Sequence, residues 1–115
     1  MELPAVDVER LQDLSAGDVE FLQELVDMYI EDAENLLVEL QGALRRSEPD
    51  ELARTAHKLK GSSANMGAVR VSEMARELEQ LGKSERIEGA DRLMAHLETE
   101  IGSAKKVFQG LLVRS

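Results

Sequence analysis

Apolar residues recur at three- and four-residue steps through most of this chain, and nowhere do they alternate with a period of two over strand length. The longest stripe runs through Val19, Leu22, Val26, Tyr29, Ala33 and Leu36 to Leu44, and predicts one long helix ending near Arg45 and Arg46. Ser15-Ala16-Gly17-Asp18 has capping-box spacing, so Ser15 is expected to open that helix. A short helix from Val6 to Leu14, with Val8 and Leu11 apolar, precedes it. Ser47-Glu48-Pro49-Asp50 is the next start signal, with proline in the first turn, where its missing N–H does no harm. The helix it opens should reach about Asn65, and Gly67 turns the chain. Val69 to Leu81 carries Val71, Met74, Ala75 and Leu78 on one face, with Gly82 as its expected stop. Ser84 is then expected to cap a last helix that starts by Ile87 and runs through Leu97 and Phe108 to Leu111. Short connections between long amphipathic helices make antiparallel neighbours. The pattern predicts an all-α fold: an up-down antiparallel four-helix bundle, with the short N-terminal helix covering one end.

The second of the four bundle helices breaks the pattern in one place. With Leu52 at zero on a helical wheel, Leu52, Ala56, Leu59, Ser63 and Met66 form a narrow core-facing stripe. His57 falls at about 140°, Lys60 at about 80°, Gly61 at about 180° and Ala64 at about 120°. His57 therefore looks outward beside the core stripe, with Gly61 one turn further on. A glycine in mid-helix costs about 1 kcal/mol relative to alanine, and Ser62 and Ser63 are weak helix formers too. Stopping the helix at Gly61 would orphan Ser63 and Met66, which continue the register, while Gly67 supplies a later stop. Something other than helix stability favours bare space beside the imidazole.

Composition narrows the functional classes. The chain has 115 residues, enough for one domain (residues 1–115) with its own core, and no internal linker, repeat or low-complexity tract divides it. Acidic residues outnumber Lys and Arg by 23 to 14, for a formal net charge of -9, which argues against a nucleic-acid partner. Phe21, Tyr29 and Phe108 are the only aromatics, so no stacking platform for bases exists. Cysteine is absent, which fits a reducing compartment, and no apolar run is long enough to span a membrane. A cytoplasmic, monomeric protein without membrane insertion is the expectation, and Met1 favours a free-standing one.

The His57 region supports a specific chemistry. A neutral imidazole is a nucleophile near neutral pH and can accept a phosphoryl group and return it. Lys60, three residues on, can approach phosphoryl oxygens as a point charge, and is expected to be largely solvent-accessible. Gly61 removes a side chain one turn away, so a partner's active site can come close. Ser62 or Ser63 can add a hydroxyl, although Ser63 lies on the core stripe and is equally placed to bond a backbone carbonyl one turn back. The other parts of a phosphoryl-transfer enzyme are missing. Gly82-Lys83-Ser84 ends like a P-loop, but Glu77 stands where the first glycine belongs. Neither a carboxylate triad for magnesium nor a Gly-x-Ser-x-Gly turn is identifiable. The chain is expected to bind no cofactor or metal of its own, to lack kinase activity, and to draw magnesium from a partner. His96, between Leu93 and Leu97, is read as a boundary residue with one wet face. Met28, Met66, Met74 and Met94 are read as core fillers.

The run Ala56-His57-Lys58-Leu59-Lys60-Gly61-Ser62-Ser63-Ala64-Asn65-Met66-Gly67-Ala68 resembles the signature of histidine-containing phosphotransfer (HPt) domains of multistep phosphorelays. The long preceding helix, the Ser47–Gly61 approach and the following Met74–Gly82 stretch are similar to the family's order of elements, so the resemblance covers roughly Val6 to Leu111. It implies the same bundle, and a phosphoryl group exchanged between a histidine and the aspartate of response-regulator receiver domains or a hybrid sensor histidine kinase. Carried over by position, His57 matches the phosphoacceptor, Lys60 the nearby positive residue and Gly61 the clearance position. Glu79 stands where the family usually places a polar residue near the histidine, with a solvated helix face as the competing reading. The alternative function is an interaction bundle derived from such a domain and no longer phosphorylated. Against it, a degenerate module has no need to keep the costly glycine. A di-metal carboxylate bundle fails because Glu-x-x-His is required on two helices, and Arg54 and Leu93 precede His57 and His96 at that spacing.

Overall fold

A computed structural model describes residues 3–113 and contains five helices: α1 (Val8–Ser15), α2 (Val19–Arg45), α3 (Pro49–Asn65), α4 (Val69–Lys83) and α5 (Ala90–Val113). No strand occurs among the described residues. Each of α2 to α5 packs on its chain neighbour and α5 returns to α2, which closes the predicted four-helix bundle. The 27 residues of α2 span about 40 Å at the α-helical rise, close to the full 44 Å length of the molecule.

The core follows the sequence pattern. Leu40, Leu52, Leu59, Leu78, Leu97 and Phe108 are fully buried, each stabilising the fold by about 1.5–3 kcal/mol. The predicted stripe of α3 is inside in its entirety, Ser63 and Met66 included. Met28 is a correction: it is 68% exposed on α2, while Met66 and Met94 are buried and Met74 packs partly against the core.

The turns were harder to read than the helices. Asp18, not Ser15, caps α2, its carboxylate accepting from the Phe21 N–H at 3.1 Å. Ser15 is buried at the end of α1, its hydroxyl turned back to the Gln12 carbonyl. The short helix starts two residues later than expected because Asp7 is its cap. Gly67 does turn the chain, at φ 75, and the Ala68 N–H closes the end of α3 on the Ser63 carbonyl at 2.8 Å. The N-terminal helix is tied to this turn. The Asp7 N–H donates to the Gly67 carbonyl at 2.7 Å, and the Arg10 guanidinium donates to the Asn65 carbonyl and side chain at 3.0 and 2.9 Å.

Two expectations at the end of α4 are overturned together. Gly82 does not stop the helix, which continues through Lys83. A Cβ at position 82 would stand 2.7 Å from the Pro49 carbonyl oxygen and 2.8 Å from the Ala53 nitrogen, so the glycine is a contact point between α4 and the first turn of α3. Ser84 closes α4 rather than opening α5: its hydroxyl donates to the Leu81 carbonyl and accepts from the Arg86 N–H. The last helix begins only after Gly89, which has a left-handed φ of 89.

Gly61 and Gly82 lie in adjacent helices and predict opposite responses to one substitution. A Cβ at Gly61 meets nothing within 4 Å. Gly61→Ala should stabilise the protein by up to about 1 kcal/mol through helix propensity. Gly82→Ala should destabilise it by about 1–3 kcal/mol, because two packed backbones must part. Urea unfolding of both variants checks this, and equal effects would contradict the packing assigned to Gly82.

Candidate functional site

Helix α3 presents His57 on its outer surface because Leu52, Ala56, Leu59 and Ser63 take the inner one. The imidazole is 66% exposed, yet one of its nitrogens is held. Glu79 reaches it from α4, with Nδ1 2.8 Å from Oε2. The other carboxylate oxygen, Oε1, accepts from Lys60 Nζ at 2.7 Å, and Lys83 Nζ lies 3.3 Å from Oε2. Glu79 is itself buried, the only acidic residue among the described ones that is. Burial opposes its charge, but the Lys60 hydrogen bond, with those of His57 and Lys83, holds its pKa down at about 2. At neutral pH the carboxylate is therefore ionised and can only accept hydrogen bonds. The imidazole must donate to it, which puts the proton on Nδ1 and the free lone pair on Nε2.

Around this pair the surface is open on one side and basic on the other. Beyond the adjoining backbone of α3 and its two chain neighbours, no atom stands within 4 Å of a Cβ built on Gly61. On the opposite side a groove of about 430 Å³ is lined by Ala53, Arg54, His57, Lys58, Glu79 and Lys83. In a chain of net charge -9, the ring thus sits among Arg54, Lys58, Lys60 and Lys83. Among the described residues no group of three or more His, Asp or Glu side chains is arranged to hold a metal ion.

The structure gathers His57, Lys60, Gly61 and Glu79 and separates the serines from them. Ser63 is fully buried, its hydroxyl 2.7 Å from that of Tyr29, so it is a core group and not a site hydroxyl. It bonds across to α2 rather than to the carbonyl one turn back. Tyr29 packs edge-on against Phe108 at 5.7 Å, and burial pushes its phenol up to about 12. The Ser62 hydroxyl donates to the Leu59 carbonyl at 3.3 Å, away from the imidazole. Glu79 is not on a solvated face, and Lys60 is less accessible than expected at 31% exposed, because both are spent on each other. Lys83 is a member that sequence reasoning missed. Its spacing of four residues from Glu79 was visible, but the register that brings α4 beside His57 was not. His96 is exposed on α5, as a boundary position implies.

Residues 24–106 match the family described as Hpt domain. The chain belongs to the Hpt domain family. This Hpt domain is 28% identical over 107 residues to histidine-containing phosphotransfer protein 1 of Oryza sativa subsp. japonica, which covers 91% of the chain and 71% of the rice protein. It is 30% identical over 102 residues to the phosphorelay intermediate protein rdeA of Dictyostelium discoideum, covering 89% of the chain but only 40% of that protein's length. The crystal structure of histidine-containing phosphotransfer protein B from Pseudomonas aeruginosa PAO1 superimposes with a TM-score of 0.91 at 29% identity over 99% of both chains. That of a maize histidine-containing phosphotransfer protein gives 0.83 at 28% identity, over 96% of this chain and 91% of the maize chain. Within the described residues of this Hpt domain no helix is long and apolar enough to cross a membrane.

The Glu79 cluster predicts a pH dependence. Its carboxyl has a lower pKa in the folded than in the unfolded chain, about 2 against 4.5. The stabilisation it brings is therefore complete above pH 4.5 and is lost as the pH falls towards 2. Between these limits the wild-type protein should lose stability on acidification more steeply than Glu79→Gln. Urea midpoints across that range test it, and parallel curves would contradict the assigned ion pairs.

Proposed function

We propose that this chain is a phosphoryl carrier, in which Nε2 of His57 accepts a phosphoryl group from the aspartyl phosphate of a receiver domain and later returns it to another. The observation that carries this reading is an exposed imidazole whose Nδ1 donates to Glu79, leaving Nε2 as the nucleophile beside the open space at Gly61. Resemblance to proteins named for histidine phosphotransfer supports it. Lys60 has two tasks in this reading. It holds Glu79 in place, and it adds positive charge beside a group that bears negative charge on three oxygens. Gly61 leaves room for the partner's aspartate to reach bonding distance.

The chain itself contributes no kinase activity and no metal. Magnesium comes with the receiver domain, and the donor is a hybrid sensor histidine kinase or another receiver. Exchange of this kind places a monomeric protein in the cytoplasm, where such partners work. The non-phosphorylated interaction bundle gains no support from a site that keeps a nucleophilic nitrogen free and a neighbouring position bare.

Incubation with phosphorylated receiver domains should label this chain with an acid-labile, alkali-stable phosphoryl group. His57→Gln should abolish labelling and His96→Gln should leave it intact. A His57→Gln protein that still takes label would overturn the assignment.

The clearance role of Gly61 has its own test. Gly61→Gln should fold with an unchanged or higher melting temperature, since nothing packs on the position. Its transfer rate with a receiver domain should fall, because the new side chain stands where the partner must approach. Lys60→Ala should also slow transfer, and should cost about 1 kcal/mol of stability because a buried carboxylate loses a hydrogen bond. Normal transfer by the Gln variant would mean that Gly61 clears no partner.

A further inference from the structure

We propose that Arg54 is a catalytic residue of the exchange: once a phosphoryl group sits on Nε2 of His57, the Arg54 guanidinium leaves Glu51 and donates to two of the phosphoryl oxygens. This role rests on the phosphocarrier reading above, and it concerns the loaded state.

The four cations around the ring differ in what already holds them. Lys60 and Lys83 both reach the buried Glu79 carboxylate, at 2.7 and 3.3 Å, and are needed there. Lys58 has no ion-pair partner among the described residues. It directly follows His57, however, and side chains one position apart on a helix point about 100° away from each other. Arg54 stands three residues before His57, a spacing at which helix side chains meet. Helix side chains also lean towards the N-terminus, so the imidazole lies over the turn that carries Ala53 and Arg54, and all three line one groove. By the same lean, a side chain at position 61 would cover the ring, and glycine leaves that side open. A partner therefore arrives from the Gly61 side while Arg54 stands on the other.

The contact that Arg54 makes now is an easy one to exchange. Its Nη2 donates to Glu51 Oε2 at 2.8 Å, and the arginine side chain is 68% exposed. Exposed pairs of this kind stabilise little. Glu51 keeps other support when the guanidinium turns away. The Thr55 hydroxyl donates to its Oε1 at 3.4 Å, and it lies in the first turn of α3, where the helix dipole favours negative charge. Glu48 and Asp50 at the start of α3, with Lys58, Glu79 and Lys83 around the groove, are the other charged groups facing Arg54. Of the carboxylates only Glu51 contacts the guanidinium. A phosphoryl group offers more than Glu51 does. It carries about two negative charges on three oxygens, and it accepts the guanidinium fork in a bidentate contact that no lysine can make. Arg54 thus retains the phosphoryl group, and Glu51 competes for Arg54, so removing their charges must act in opposite directions.

The experiment loads wild type, Arg54→Ala, Glu51→Gln and Lys58→Ala with phosphoramidate. The Nε2 lone pair attacks phosphorus, the donor's P–N bond breaks, and its electron pair leaves on ammonia. Phosphorus NMR then follows the second ionisation of the bound phosphoryl group from about pH 5 to about pH 9. A guanidinium on the oxygens favours the dianion, so the Arg54→Ala midpoint should rise by about half a pH unit or more. The Glu51→Gln midpoint should fall, and Lys58→Ala should raise it by less than Arg54→Ala does. At equilibrium with a receiver domain, the ratio of phosphorylated chain to phosphorylated receiver should drop about two- to fivefold in Arg54→Ala, the range of an exposed ion pair. An unchanged Arg54→Ala midpoint would overturn the proposal, as would a shift of the Arg54 and Glu51 variants in the same direction or a larger shift from Lys58→Ala. Absence of a phosphohistidine signal in the wild-type protein, from phosphoramidate and from phosphorylated receivers alike, would instead overturn the phosphocarrier reading.

Discussion

A carboxylate buried between two helices stays ionised only if cations and hydrogen-bond donors reach it there. Glu79 meets that condition with two groups from α3, Lys60 and His57, and one from its own helix, Lys83. Everything distinctive about the exposed imidazole depends on this arrangement. The same contact that satisfies the buried charge fixes the ring's orientation and its tautomer, and so determines which nitrogen faces a partner. Structural necessity and chemical function coincide in one side chain.

Such a contact requires α3 and α4 to lie close and in a fixed register. Gly82 provides the closeness at one end, where a methyl group would strike the backbone of Pro49 and Ala53. The Ser72 hydroxyl, which donates to the Lys60 carbonyl at 3.1 Å, fixes the register near the middle. At the other end the turn at Gly67 is clasped by Asp7 and Arg10 from the N-terminal segment. On its other flank, α3 is pinned to α2 through Ser63 and Tyr29. The helix carrying His57 is thus restrained along its length, while the outward surface around Gly61 is left bare.

Helix periodicity made the bundle legible, because a 3.6-residue repeat of apolar positions specifies which side of each helix is inside. The outward placement of His57 and the bare position at Gly61 followed from the same wheel. What remained hidden depended on distances between helices. Gly82 looks in sequence like a helix stop, and only the neighbouring backbone reveals it as a contact. Ser15 and Ser84 have good capping chemistry, but Asp18 and Gly89 stand at positions that outcompete them. Glu79 looks like one more acidic residue on an acidic helix until the register of α4 sets it under His57. Lys83 became visible as part of the site for the same reason.

Glu79 takes Nδ1 and leaves Nε2 to react. Nitrogen NMR of the protein phosphorylated at His57, with labelled imidazole, identifies the nitrogen bonded to phosphorus and the one bearing the proton. Phosphorus is expected on Nε2 and the proton on Nδ1, with the ring still hydrogen-bonded to Glu79. Phosphorus on Nδ1 would contradict it, since that nitrogen would have had to give up the carboxylate on which the site is built.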